Sequence, residues 1–175
     1  HIAPVIEIQQ LNVHLNRQDN RTILVTSANA MCFENASSFL SGKDMICIGE
    51  KTAAAAVALG GNPIWVGPNV TAARAHLGTA PVEPILYLRG EHITYDFAQD
   101  HPEIESCTTY RQVAQELPAA IKRDLLGGTL HLLPLFSLRT AQLISDELGD
   151  FASHCVVAIS ESVADFCVSK NAKQI

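Results

Sequence analysis

The sequence predicts an α/β fold on buried parallel strands with right-handed crossovers, and two observations carry that prediction. Five short apolar runs recur: Ile23-Leu24-Val25, Met45-Ile46-Cys47-Ile48, Ile85-Leu86-Tyr87-Leu88, Leu130 to Phe136, and Cys155-Val156-Val157-Ala158-Ile159. Nearly continuous runs of this length suit strands buried on both faces, which belong to parallel sheets covered by helices. Most of the runs end in small or polar punctuation followed by a helix-compatible stretch, so strand and helix alternate along the chain.

The chain opens on His1 and runs at once into the strand-like Ala3-Pro4-Val5-Ile6-Glu7-Ile8, as though it begins in mid-fold. Residues 5 to 15 alternate apolar and polar, with Leu11, Val13 and Leu15 on one side. After the first two apolar runs, Glu50-Lys51-Thr52-Ala53 opens a helix that the paired Gly60-Gly61 stops. Ile64-Trp65-Val66 is a weaker sixth run. Residues 104 to 110 place Ile104, Ser106, Thr108 and Tyr110 on one face, and period two with a wet face suits an exposed antiparallel pair. The two alternating segments therefore read as connectors. A further helix is expected from Pro118, where proline suits the first turn, to Leu126 before Gly127-Gly128. This divides the chain into a middle unit, residues 9 to 103, and a second unit from 111 onward. The second has two good strands, too few for an independent sheet, so it is expected to borrow strands from segments beyond one or both ends.

With 175 residues, 47% apolar and 17% charged, the chain belongs to the ordinary globular class. No apolar run approaches the roughly 20 residues of a membrane span and no signal sequence opens the chain, which points to the cytoplasm and away from a membrane. Five cysteines lack any C-x-x-C spacing, and Cys47 and Cys155 read as buried reduced thiols, metal ligation being the poorer alternative. The net charge of -6, with 12 scattered Lys and Arg, argues against nucleic acid. The histidine pairs His92 and His101, and His131 and His154, are too far apart for a metal-binding helix face. Glu83, Glu91 and Asp96 invite a paired-carboxylate hydrolase, but spacing alone does not show that two carboxyls meet. Neither glycine pair is a nucleotide fingerprint, so no cofactor is implied.

The polar punctuation recurs as an elbow: Thr26-Ser27-Ala28-Asn29-Ala30, Gly49-Glu50-Lys51-Thr52-Ala53, Arg89-Gly90-Glu91-His92, Ser137-Leu138-Arg139-Thr140-Ala141 and Ser160-Glu161-Ser162-Val163-Ala164. Each offers Ser, Thr or Gly where a helix must be capped. Unpaired N–H groups and the dipole at helix starts bind anions without a charged side chain, so a set of elbows suits a carboxylate-rich ligand. Ser27, Thr52, Ser137 and Ser160 equally read, one by one, as plain helix caps.

In that order the elbows resemble the uroporphyrinogen-III synthase family. Thr26-Ser27 with Asn29-Ala30 is similar to its first elbow, Ile48-Gly49-Glu50-Lys51-Thr52-Ala53 to its second, and Leu86-Tyr87-Leu88-Arg89-Gly90-Glu91 to its third. Leu135-Phe136-Ser137-Leu138-Arg139-Thr140-Ala141 and Ala158-Ile159-Ser160-Glu161-Ser162-Val163-Ala164 resemble the two elbows of its other domain. The family often has proline where Leu138 stands and glycine where Ser160 stands. The likeness runs from about Ala3 to Ala164.

The resemblance implies two similar three-layer α/β/α domains with parallel sheets, joined by a two-stranded β-ladder, one domain being assembled from both chain ends. Residues 1–8 would hold a ladder strand and a remnant of the discontinuous domain, 9–103 the middle domain, 104–110 the second ladder strand, and 111–175 the C-terminal part of the discontinuous domain. The family's opening strand and helix, and its closing pair, have no counterpart here, and the span from Val66 to Pro84 looks trimmed. The implied activity is a cofactor-free lyase that cyclises hydroxymethylbilane, with its eight carboxylates, to uroporphyrinogen III with loss of water and inversion of ring D. A monomer receiving its substrate by transient handover from the preceding deaminase is implied too. Tyr110 matches the family's tyrosine at the end of the second ladder strand, facing the cleft between domains, and is the candidate that assists departure of the hydroxyl; alternatively it packs on the ladder with its hydroxyl in water. Thr26, Ser27, Thr52, Gly90, Ser137, Ser160 and Ser162 are candidate carboxylate contacts. Lys51, Arg89 and Arg139 add charge or lie on solvated faces. The rival functions are a two-domain binding or sensor module for a carboxylate-rich ligand, and a glycosyltransferase-like doubly wound enzyme.

Overall fold

Ile23, Leu24 and Val25 have no exposed surface, as a fully buried parallel strand requires. They lie in an inner strand of a six-stranded sheet. The structure, a computed structural model, describes residues 4–16, 19, 21–79 and 84–172. The chain divides into two compact units, a larger one, Ile8–Gln112, and a smaller one made of His1–Glu7 and Val113–Ile175.

The sheet comprises β1 (Ile6–Gln10), β2 (Thr22–Val25), β3 (Asp44–Ile48), β4 (Asn62–Gly67), β5 (Ile85–Gly90) and β6 (Ile104–Ala114), in the order β1-β6-β5-β2-β3-β4. From β6 to β4 every pairing is parallel. Connecting them are a 3-10 turn at Ala28–Met31 and helices α1 (Ala36–Leu40), α2 (Glu50–Ala58), α3 (Val70–Leu77) and α4 (Phe97–Asp100). Side chains alternate between two cores. Ile23, Val25, Met45, Cys47, Leu86 and Leu88 pack with Met31, Phe39, Leu40, Ala53 and Ala56. Leu24, Ile46, Ile48 and Tyr87 pack with Ala73, Leu77 and Phe97 on the opposite face. Both faces are thus covered by helices, the doubly wound arrangement that continuous apolar runs imply.

Strand β6 departs from the sequence reading of an exposed connector. It is an 11-residue strand whose one edge pairs in parallel with β5, from Ile85↔Ile104 to Gly90↔Tyr110. Its other edge pairs with β1, where Leu11 N–H bonds to the Thr109 carbonyl and Gln115 N–H to that of Val5, so these two strands run antiparallel. Polar Thr109 is fully buried there because its hydroxyl donates to the Ala30 carbonyl at 2.9 Å. The ladder strand expected within residues 1–8 is observed at Ile6–Gln10, and residues 1 to 3 lie outside the described residues.

In the smaller unit, α5 (Ala119–Leu126), β7 (Leu132–Leu135), α6 (Leu138–Leu148), β8 (Cys155–Ala158) and α7 (Glu161–Ser169) follow in order. Pro118 is the residue before the first turn of α5, and Gly127 its C-cap. Strands β7 and β8 form a two-stranded parallel sheet. Leu135 and Val156 point inward onto Ala141, Phe151, Val163 and Cys167. Leu132, Phe136, Val157 and Ile159 alternate outward and are exposed. All five cysteines are free thiols. Cys47 is buried, its pKa pushed up to about 11 by desolvation, whereas Cys155 is only half-buried and Cys167 is the second buried thiol. The expectation for Cys155 fails because it sits on the outward face, opposite Leu132.

Candidate functional site

The strand order reverses beside β2: the chain passes from β2 to β3 and β4 on one side, then returns to build β5 and β6 on the other. Ligands of open α/β sheets bind outside the carboxyl ends of the strands at such a switch point. The register Val25↔Leu88 sets Thr26 level with Arg89, and Gly90↔Tyr110, the last pair between β5 and β6, brings in Tyr110. Val25↔Cys47 and Ile48↔Gly67 put Gly49 on the same edge. Thr26, Ser27, Gly49, Arg89, Gly90 and Tyr110 therefore share one carboxyl edge.

Each elbow is built differently. Ser27 Oγ accepts the Asn29 N–H at 3.3 Å and caps the 3-10 turn. Gly49 has φ +86°, a left-handed value that a side chain disfavours, and it lets α2 start directly off β3. Thr52 is therefore not a cap: it sits in the first turn of α2, buried, while Lys51 beside it is exposed. Arg89 is half-buried rather than on a solvated face, its Nη1 donating to the Gly90 carbonyl at 3.3 Å and its Nε enclosed without a partner. No helix follows this third elbow directly. The chain instead reaches α4 only after Asp96, whose carboxylate accepts the Ala98 N–H at 3.1 Å. That cap occupies one member of the carboxylate trio weighed for hydrolysis, Glu91 is exposed, and Glu83 lies outside the described residues.

Tyr110 is buried, with 6% of its surface exposed, in the same core as Val25 and Leu88. Its ring lies against Gly90: a Cβ there would sit 2.6 Å from the ring carbon Cζ and 2.9 Å from the hydroxyl. Gly90 is thus glycine because the phenol occupies the space of a side chain. Tyr87 is a residue that the apolar-run reading passed over. Its hydroxyl lies 3.3 Å from Thr26 Oγ1, and burial, the leading cause, raises its pKa against the opposing effects of Thr26 and Arg89. A tyrosine inside an otherwise aliphatic strand is the signal that gives it away, because a buried hydroxyl demands a partner.

In the smaller unit the register Leu135↔Ala158 places Ser137 and Ser160 each two residues past paired positions. The starts of α6 and α7 are therefore neighbours on one edge. Ser137 Oγ accepts the Thr140 N–H at 3.0 Å, a true N-cap. Ser160 occupies the same position before α7 without capping through its side chain, its Oγ lying 3.1 Å from Ser162 Oγ instead. Ser27 and Ser137 therefore do cap their helices, whereas Thr52 and Ser160 do not cap theirs through a side chain. Arg139 is half-buried in the first turn of α6. His131 and His154, distant in sequence, meet at the entry to β7 and β8 with ring centroids 5.7 Å apart. Among the described residues no group of three or more metal-ligating side chains converges, and no helix is long and apolar enough to cross a membrane.

Fold and edge together define a doubly wound α/β protein whose strand-end elbows present hydroxyls, helix starts and the half-buried guanidinium groups of Arg89 and Arg139. The family model described as Uroporphyrinogen-III synthase HemD matches residues 1–175, and the chain belongs to that family. The family is one of cyclising lyases of haem biosynthesis acting on a small-molecule tetrapyrrole, and uroporphyrinogen-III synthase is the function that family and fold support. The crystal structure of uroporphyrinogen-III synthetase from Helicobacter pylori 26695 is similar, with a TM-score of 0.71 and 14% identity over 97% of this chain and 82% of that one. At that identity the likeness establishes the fold. No curated protein gives a significant sequence match.

Proposed function

We propose that this chain closes hydroxymethylbilane to uroporphyrinogen III through its strand-end elbows. Thr26, Ser27, Lys51, Thr52, Arg89 and Gly90 of the larger unit, and Ser137, Arg139, Ser160 and Ser162 of the smaller, take the substrate's carboxylates. The observation that carries this reading is the switch point between β2 and β5, which gathers Thr26, Ser27, Arg89, Gly90 and Tyr110 on one edge. Hydrogen bonds to a charged group contribute roughly 1.5 to 3 kcal/mol each before non-additivity, enough for helix starts to hold a polycarboxylate on a chain of net charge -6.

The chemistry asks for a fold of the substrate more than for strong acid or base. Electron release from a pyrrole nitrogen expels the terminal hydroxyl, which leaves as water once protonated, and an azafulvene results. The substituted carbon of ring D attacks that centre to give a spiro intermediate, which fragments and recloses with ring D reversed. Free in water the chain closes head to tail to the type I isomer, so the protein's part is to hold ring D for attack through its substituted carbon. Tyr110 assists departure of the hydroxyl as a modest acid. Its packing on Gly90 supports a fixed ring rather than a mobile one.

The enzyme acts as a cytoplasmic monomer that takes its unstable substrate by transient handover from the deaminase that makes it. In the test, hydroxymethylbilane is generated in place and the oxidised porphyrins are separated by isomer. Type III above the spontaneous background is expected. Type I alone, with stoichiometric binding of a polycarboxylate, would favour the binding-module reading.

A further inference from the structure

Tyr87 stands where the fold least tolerates a hydroxyl. It is in the middle of β5, between Leu86 and Leu88, with only 1% of its surface exposed. Its ring is fixed edge-on against Phe97, centroids 5.4 Å apart, and Phe97 is held in turn by Tyr95 at 4.9 Å. The hydroxyl reaches the carboxyl edge at the switch point and meets Thr26 Oγ1 at 3.3 Å. A phenol is protonated at neutral pH and burial pushes its pKa further up, so the Tyr87 hydroxyl has a proton to give, and either hydroxyl of the pair is able to donate. A threonine hydroxyl that accepts one hydrogen bond still has a proton to give and chooses its direction by what already occupies its lone pairs.

We propose that Tyr87 is a positioning residue for substrate binding: its hydroxyl donates to Thr26 Oγ1 and so aims the Thr26 proton at a substrate carboxylate. The inference rests on Thr26 being a carboxylate contact, as set out above. The alternative role for the same bond is structural satisfaction of a buried phenol, and the two differ in what they move. Positioning acts on binding of the anionic ligand, whereas satisfaction acts on folding alone.

Tyr87→Phe removes one oxygen and keeps the ring against Phe97. Thr26→Val removes the acceptor and keeps its shape. In the isomer-resolved assay Tyr87→Phe should raise KM about threefold to tenfold, the worth of one hydrogen bond, with kcat within about twofold of the parent. Added to Thr26→Val it should change KM by less than about twofold, since the proton it aims is already gone. An unchanged KM for Tyr87→Phe, whatever its melting temperature does, overturns the proposal. So do two effects that simply multiply. The same variants are also read by direct titration with uroporphyrin III, an octacarboxylate that needs no turnover. Were the parent to yield only type I product, the proposed activity would fail, while the titration would still decide the role of Tyr87: a weakened Kd lost in the Thr26→Val background supports it, and an unchanged Kd overturns it.

Discussion

Gly90 and Tyr110 are one feature seen from two strands. The phenol lies where a side chain at 90 would be, so Gly90→Ala places a methyl under 3.0 Å from the ring and the ring must move. The expected result is a loss of about 1 to 3 kcal/mol of stability, and a fall in type III production larger than that of Tyr110→Phe, which slows turnover only modestly. Parallel melting and turnover measurements check both, and equal activity of Gly90→Ala and parent would mean that the position of the ring is irrelevant. Burial, then the neighbouring His131, lowers the pKa of His154, while Asp150 opposes them. The unfolded chain therefore binds this proton more readily than the folded one. The stabilisation is complete above about pH 6.5 and is lost as pH falls through and below that value. Melting temperature should hold level from pH 8 to 7 and decline toward pH 5, with a shallower decline in His154→Phe. An identical slope in the variant would show that His154 does not carry the effect.

Elements made of the same residue types serve different ends, and α6 offers the clearest separation. Ser137 caps it through the Thr140 N–H, so Ser137→Ala should cost about 1 kcal/mol whether or not Ser137 touches substrate. Ser137→Asp distinguishes the two roles. Aspartate caps as well as serine, so stability should stay within a few tenths of a kcal/mol, but its charge would repel a substrate carboxylate and raise KM severalfold. A normal KM in that variant would leave Ser137 as a cap alone. Strands buried on both faces were legible because nothing but apolar residues fits there, which is why β2, β3 and β5 follow their runs within a residue or two. Strand β6 was legible as a strand paired antiparallel with the first, but not as one that also joins β5, because its run of Ser106, Thr108 and Thr109 looks wet until the Ala30 carbonyl, 79 positions away in sequence, supplies a partner for Thr109. The third elbow misled for a related reason: Arg89-Gly90 ends a strand like the others, but Tyr110 fills the space above Gly90 and the helix begins only at the Asp96 cap.

Across the molecule, the two units differ in how much sheet and core each possesses. The larger has parallel strands inside a six-stranded sheet with an extensive apolar cluster on either face. The smaller has a two-stranded sheet whose outward residues Leu132, Phe136, Val157 and Ile159 stay exposed. A two-stranded sheet with one bare face is held by fewer apolar contacts per backbone hydrogen bond, and such regions open locally at lower free energy than a central sheet. Hydrogen exchange should therefore resolve two classes of amide in the same chain. Those of Leu24, Ile46 and Leu86 should exchange only through global unfolding, at a rate that tracks the denaturant-measured stability. Those of Leu133 and Val157, whose turn in the ladder follows from the Cys155 N–H to His131 and Ile159 N–H to Leu135 bonds, should exchange faster, by about tenfold or more, through openings with little denaturant dependence. Uniform protection would mean that the bare face costs the smaller sheet nothing. If the predicted contrast holds, the elbows of α6 and α7, carried on the less protected sheet, are the part of the binding machinery that a polycarboxylate should order most. Uroporphyrin III should then slow exchange at Leu133 and Val157 while leaving Leu24 and Ile46 at their global limit.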